Sequence, residues 1–66
     1  MIVYAYDTDF KLNPTGKEWK FKTKSFQDVI SHIAKKNNGK ITKNGRSVIL
    51  NNGNRVFGII IENKNE

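Results

Sequence analysis

Residues 25–39, SFQDVISHIAKKNNG, contain the clearest structural signal in the chain. Ser25 followed by Asp28 resembles a capping box, which would begin a helix at this point. The segment Asn37-Asn38-Gly39 supplies residues that end helices in the left-handed conformation. Between these signals, apolar side chains recur with the spacing of one helical face, and they are Phe26, Val29, Ile30, Ile33 and Ala34. We therefore predict an amphipathic helix whose apolar stripe packs on a sheet.

Two strands are predicted before this helix. Residues 2–6, IVYAY, are rich in the β-branched and aromatic types that favour strands. Residues 13–16, NPTG, are typical of a reverse turn. Residues 19–24, WKFKTK, alternate apolar and basic side chains, which is the period of a half-buried strand. This alternation places Trp19 and Phe21 toward the core, and the two strands should form an antiparallel hairpin.

Three further strands are predicted after the helix. Asn44-Gly45 lies between residues 40–43 and 46–50, and this dipeptide favours a type I′ hairpin turn. Asn- and Gly-rich residues 51–54 reverse the chain again, and residues 55–62 form the last strand. The order is therefore β-β-α-β-β-β. We expect an α+β fold, in which one helix packs on a face of an antiparallel sheet, with a single domain over residues 1–62 and a frayed polar tail over residues 63–66.

Chain length and residue types exclude several kinds of protein. The chain has 66 residues, enough for one small domain, and no cysteine. Disulfides, thiolate zinc sites and a cysteine nucleophile are therefore excluded. No secretory signal pattern follows Met1, and apolar runs such as Ile59–Ile61 are far shorter than the roughly 20 residues that span a membrane. We predict a cytoplasmic protein with no membrane association and no cofactor.

The last strand is apolar on both faces, because the apolar residues of segment 56–61 point alternately to its two sides. One helix covers only one face, and strands that are apolar on both faces are normally covered on both. Two arrangements would achieve this. The long segment 7–18 could fold over the second face. Alternatively, the protein is a homodimer or higher homo-oligomer, with Val56 and Ile60 at the interface.

Positive charge is concentrated in two segments. The net charge is +6, and residues 11–25 and 40–46 contribute most of it. Alternate lysines on a strand repeat at about 6.6–6.8 Å, which is about twice the 3.4 Å rise of one nucleic-acid strand. We predict that these segments contact the phosphates of single- or double-stranded nucleic acid through Lys20, Lys22, Lys24, Lys40, Lys43 and Arg46. The competing interpretation is a solvated strand face with edge lysines that prevent aggregation.

Catalytic signals are weak. Asp7 and Asp9 close the first strand, and two carboxylates at this spacing could hold Mg²⁺ for phosphodiester hydrolysis. Aspartate is also an ordinary turn-starting residue, and His32 falls on the polar face of the predicted helix. We therefore predict no catalytic residue and no metal site, and we keep a small metal-dependent DNA nuclease only as a further alternative.

In size and composition the chain resembles the very short proteins encoded by phages and mobile elements of AT-rich bacteria. This resemblance covers no motif and assigns no residue a role. It implies either a nucleic-acid-binding protein or an inhibitor that binds a host protein, for example one that is anti-CRISPR-like. The basic segments favour nucleic acid as the partner. The unpaired strand edges, to which a partner's strand could add, support the inhibitor as the alternative.

Overall fold

A computed structural model of the chain describes residues 1–62, and the predicted tail lies outside the described residues. The elements are β1 (Ile2–Thr8), β2 (Pro14–Lys22), α1 (Phe26–Lys36), β3 (Lys40–Ile41), β4 (Ser47–Ile49) and β5 (Arg55–Glu62). All strand pairs are antiparallel, and the five strands form one sheet in the order β2-β1-β5-β4-β3. The predicted α+β class and the β-β-α-β-β-β order are confirmed.

Helix α1 packs on one face of this sheet. Its stripe buries Val29, Ile30 and Ile33, and these side chains meet the small β-branched and alanine residues of the central strands, which are Val3, Ala5, Val48 and Val56. Gly58 of β5 lies directly beneath the helix. A Cβ on Gly58 would stand 3.0 Å from Cε1 of Phe26, so this glycine lets the aromatic ring approach the strand backbone closely.

The N-terminus of α1 differs from the predicted capping box, whereas the predicted left-handed end at residues 37–39 is confirmed. Ser25 is the N-cap residue, but its side chain makes no capping hydrogen bond. The hydroxyl of Thr23 instead accepts the N–H of Ser25 at 3.3 Å and donates to its carbonyl at 3.1 Å. At the other end Asn38 takes the left-handed conformation, with φ of 51°. The N–H of Gly39 then donates to the carbonyl of Ala34 at 2.9 Å, which closes the helix.

The loop between β1 and β2 is shorter than the sequence suggests. Pro14 begins β2, so the predicted turn over residues 13–16 is wrong, and the segment 7–18 belongs largely to the sheet instead of covering a face. The turn lies earlier because the Asp9 carboxylate accepts the backbone N–H groups of Lys11 and Asn13 at 2.8 and 2.9 Å. These bonds reverse the chain within residues 9–13.

The hairpin between β3 and β4 is confirmed, but its turn is not type I′. That type needs a positive φ at both central residues, and within the hairpin only Gly45 has one, at 71°. The N–H of Gly45 donates to the carbonyl of Thr42 at 2.9 Å, and the side chain of Asn44 accepts the N–H of Arg46 at 3.0 Å. A longer loop with an asparagine side-chain bond therefore replaces the two-residue turn.

Trp19 corrects one core prediction. It lies opposite Ala5 in the β1–β2 register, on the side of the sheet that carries α1, as the alternation predicted. It is nevertheless 42% exposed, because it stands on an edge strand, where α1 contacts Phe21 through His32. Phe21, two residues later, is half-buried and packs against the core. Within residues 1–62, no helix combines the length and the apolar character that crossing a membrane requires.

Candidate nucleic-acid interface

The sheet has one face that the helix does not cover, called here the open face. Gly58 and its antiparallel partner Ala5 point toward α1. Successive side chains on a strand point to opposite sides, so their neighbours along each strand point away from the helix. The exposed or half-buried residues of the open face include Ile2, Tyr4, Tyr6, Glu18, Lys20, Lys22, Lys40, Ile49, Arg55, Phe57 and Ile59.

Three aromatic rings form a row across the two central strands of the open face. The ring centroids of Tyr4 and Tyr6 are 5.9 Å apart, and their planes differ by 27°. The centroids of Tyr6 and Phe57 are 5.6 Å apart, and their planes differ by 22°. All three side chains are half-buried, since they pack on one another while part of each remains accessible to solvent. Tyr4, Tyr6 and Phe57 are called the aromatic row below.

Two predicted basic residues lie beside the aromatic row. Lys20 is opposite Tyr4 and Lys22 is opposite Ile2 in the β1–β2 register, and both lysines are exposed. The sequence indicated that these lysines face away from Trp19 and Phe21. It did not indicate that they share a face with the tyrosines, because that follows only from the pairing of β1 with β2.

The other predicted basic residues are spread over the molecule. Lys24 follows β2, and Lys40 lies on β3 at the opposite edge of the sheet. Lys43 and Arg46 lie in the turn between β3 and β4. The two edge strands are four strand spacings apart, or about 19 Å. The six residues therefore form two groups on either side of the aromatic row instead of one continuous patch.

A shallow cleft opens beside Tyr6, where β2 departs from regular pairing. Tyr6 pairs with Glu18 and Thr8 pairs with Pro14, so three residues of β2 stand opposite one residue of β1. The cleft has a volume of about 260 Å³. Its lining residues are Tyr4, Tyr6, Asp7, Pro14, Gly16, Lys17 and Glu18.

Glu18 fixes the tyrosine at the edge of this cleft. The hydroxyl of Tyr4 donates a hydrogen bond to the Glu18 carboxylate. This bond raises the pKa of the Tyr4 hydroxyl, because ionisation would break it and place two negative charges side by side. Tyr4 therefore stays a neutral donor at physiological pH.

Asp7 and Asp9, the possible magnesium ligands, have different local roles. Asp7 is 3% exposed, and its Oδ2 accepts hydrogen bonds from Thr15 at 2.6 Å and Asn54 at 3.2 Å. The N–H groups of Asn13 and Lys11 hold the pKa of Asp9 below its ordinary value. Asp7 thus ties Thr15 and Asn54 to β1, whereas Asp9 stabilises the turn within residues 9–13. Among residues 1–62, no three His, Asp or Glu side chains are grouped as metal ligands.

The two predicted interface residues differ in accessibility. Val56 is 1% exposed and lies in the core beneath α1, so its side chain is not available to a second copy. The core placement follows from its pairing with Val48 and Asp7, all on the helix side. Ile60 lies opposite Val3 and is 44% exposed, so it remains available to a partner. Homo-oligomerisation stays a prediction.

Comparison with known proteins adds no family to this description, since no family model, no curated protein and no solved structure matches the chain.

Proposed function

We propose that the protein binds single-stranded nucleic acid across the open face. Bases stack on the aromatic row, and phosphates contact Lys20 and Lys22. The observation that carries this proposal is a row of three stacked rings with the exposed Lys20 opposite Tyr4 and the exposed Lys22 two residues further along β2, on the face that the helix leaves uncovered. Proteins that bind single strands combine these two elements, a stacking platform and a positive groove along the backbone.

The spacing of the rings favours a single strand over a duplex. Bases in a regular helix are stacked on one another at a rise of about 3.4 Å, so their faces are not available to side chains. The ring centroids are 5.6–5.9 Å apart, which suits bases that have been spread from one another. Recognition of single strands commonly uses such splayed bases on the aromatic side chains of a sheet.

Charge supports the same proposal. The chain carries a net charge of +6, which attracts polyanions whichever side of the protein they approach. Lys20 and Lys22 add a local component, since both stand on the open face at the edge of the aromatic row. A strand that stacks on Tyr4 would therefore bring its backbone within reach of the β2 lysines.

The test compares two double variants that remove the same charge from opposite sides of the molecule. Lys20→Ala with Lys22→Ala alters the open face, and Lys35→Ala with Lys36→Ala alters exposed residues of α1. Affinity for a labelled 12-nucleotide single strand is measured by fluorescence anisotropy at several salt concentrations. We expect the β2 variant to lower the slope of log K against log salt by about 0.7 for each lost contact, whereas the α1 variant leaves it nearly unchanged.

Three outcomes oppose the proposal. Equal losses in the two variants would show attraction by net charge alone. Tighter binding to a duplex of the same length would contradict the single-strand assignment. Absence of binding by a folded protein, checked by circular dichroism, would favour the alternative of an inhibitor that binds a host protein. The exposed nine-residue edge strand β2 is then the surface to which a partner's strand could add.

A further inference from the structure

The position of Glu18 calls for a chemical explanation. It lies on the open face opposite Tyr6, on a strand whose other charged residues are lysines. A carboxylate there repels phosphates and lowers the affinity for any polyanion. Its hydrogen bond with Tyr4 occupies only part of its capacity, because a carboxylate has about four lone-pair sites. Within residues 1–62 the Glu18 carboxylate makes no other hydrogen bond or ion pair, so accepting sites are left for a ligand.

The cleft beside Glu18 has the size and the lining for one flat group. Its volume of about 260 Å³ lies just below the range of roughly 300–1,000 Å³ that is typical of pockets for drug-sized molecules. Tyr6 and Lys17 are both among its lining residues. Gly16 also lines the cleft, with φ of 93°, and a Cβ on it would meet no atom within 4 Å. The space beside Gly16 is therefore open.

Hydrogen-bond chemistry selects the base that fits. A carboxylate only accepts, so it matches a base edge with adjacent donors. The Watson–Crick edge of guanine presents N1–H and the N2 amino group side by side, and the two carboxylate oxygens can accept both in parallel. Cytosine and adenine present one amino group beside a bare ring nitrogen. Thymine and uracil present a single N–H between two carbonyl oxygens, which a carboxylate repels.

We propose that the cleft binds a guanine base of the single strand, with Glu18 accepting hydrogen bonds from N1–H and N2–H. The guanine ring lies against Tyr6, and Lys17 contacts the phosphate of the same nucleotide. Tyr4 holds the carboxylate in place through its hydroxyl. This assignment rests on the proposed binding of single strands, and it adds a preference for one base at one position.

The test uses four labelled 12-nucleotide strands, which are oligo-dT and oligo-dT with one central dG, dA or dC. Anisotropy titrations are run at one fixed salt concentration. We expect the dG strand to bind on the order of tenfold more tightly than oligo-dT, as a bidentate pair provides. In Glu18→Gln, one acceptor becomes a donor and a negative charge is lost. This variant should bind oligo-dT at least as tightly as the parent and should lose the dG preference.

Asp28→Asn is the matched control, because it removes one negative charge from an exposed residue of α1. It should retain the dG preference. Binding to all four strands with equal affinity would overturn the guanine site and leave the proposed function standing. Failure to bind any strand would overturn both. A dG preference that survives in Glu18→Gln, or a stronger preference for dC or dA, would also refute the assignment to Glu18.

Discussion

The two faces of β1 differ in the size of their side chains and in how far those side chains are buried. Toward the helix, β1 presents Val3 and Ala5, both 0% exposed. Toward the open face, it presents Tyr4 and Tyr6, whose rings remain partly in solvent. The helix requires small residues beneath it, as the contact between Gly58 and the Phe26 ring shows. No helix or strand within residues 1–62 covers the open face, so it has room for large aromatic side chains, which pack on one another.

The largest expected effect is the loss of folding stability when a side chain buried between the helix and the sheet is truncated. Ile30 is 0% exposed at the centre of the α1 stripe, so Ile30→Ala should cost about 2–5 kcal/mol through lost contacts and a residual cavity. A domain of this size has only about 3–5 kcal/mol of stability in total. We expect much of the variant to be unfolded at 25 °C, as measured by circular dichroism during urea titration.

The matched substitution on the open face is Ile59→Ala. Ile59 is 47% exposed, so it buries about half of its surface and leaves no cavity when truncated. The expected cost is below about 1 kcal/mol, within the range of ordinary surface substitutions. Equal destabilisation by the two variants would mean that the open face is covered in solution, for example by a second copy of the chain.

The helix and the last strand could be predicted from the sequence because their signals are local. The stripe from Phe26 to Ala34 has a period that only a helix satisfies, and β5 occupies residues 55–62 as predicted. The start of β2 could not be predicted in this way. Pro14 and Gly16 are turn formers in isolation, but Pro14 pairs with Thr8 of β1, and the hydrogen bonds to Asp9 turn the chain earlier.

The candidate site depends on register, which the sequence does not contain. Tyr4 and Lys20 are each predictable as strand residues, but their meeting on one face requires the pairing of β1 with β2. The same holds for Tyr6 and Phe57, which are 51 positions apart in the chain and adjacent in the sheet. Trp19 shows what alternation cannot predict. Alternation gives the side of the sheet on which a residue lies, but not whether the helix buries that residue.

A smaller effect is expected on the affinity for nucleic acid when the ring of Tyr6 is removed from the open face. Tyr6 contacts both other rings of the aromatic row, so Tyr6→Ala should remove a stacking platform worth about 1–3 kcal/mol per base, or roughly 5- to 150-fold in affinity. Tyr6→Phe keeps the ring and should bind nearly as the parent does. Anisotropy with the 12-nucleotide strand measures both. Equal affinity of the alanine and phenylalanine variants would show that the ring takes no part in binding.

The smallest effect concerns the bond between Tyr4 and Glu18, and it is visible at alkaline pH. A raised pKa in the folded state contributes stability that is fully present below the unfolded value of about 10. That contribution is lost as the pH rises through the folded value. Since Glu18 is the first cause of the raised pKa of Tyr4, Glu18→Gln should shift one tyrosine ionisation to lower pH. Absorbance at 295 nm follows this ionisation, and Tyr4→Phe identifies which of the two tyrosine steps belongs to Tyr4. If the Tyr4 step stays in place in Glu18→Gln, the carboxylate is not held by Tyr4 in solution, and the guanine site loses the contact that orients it.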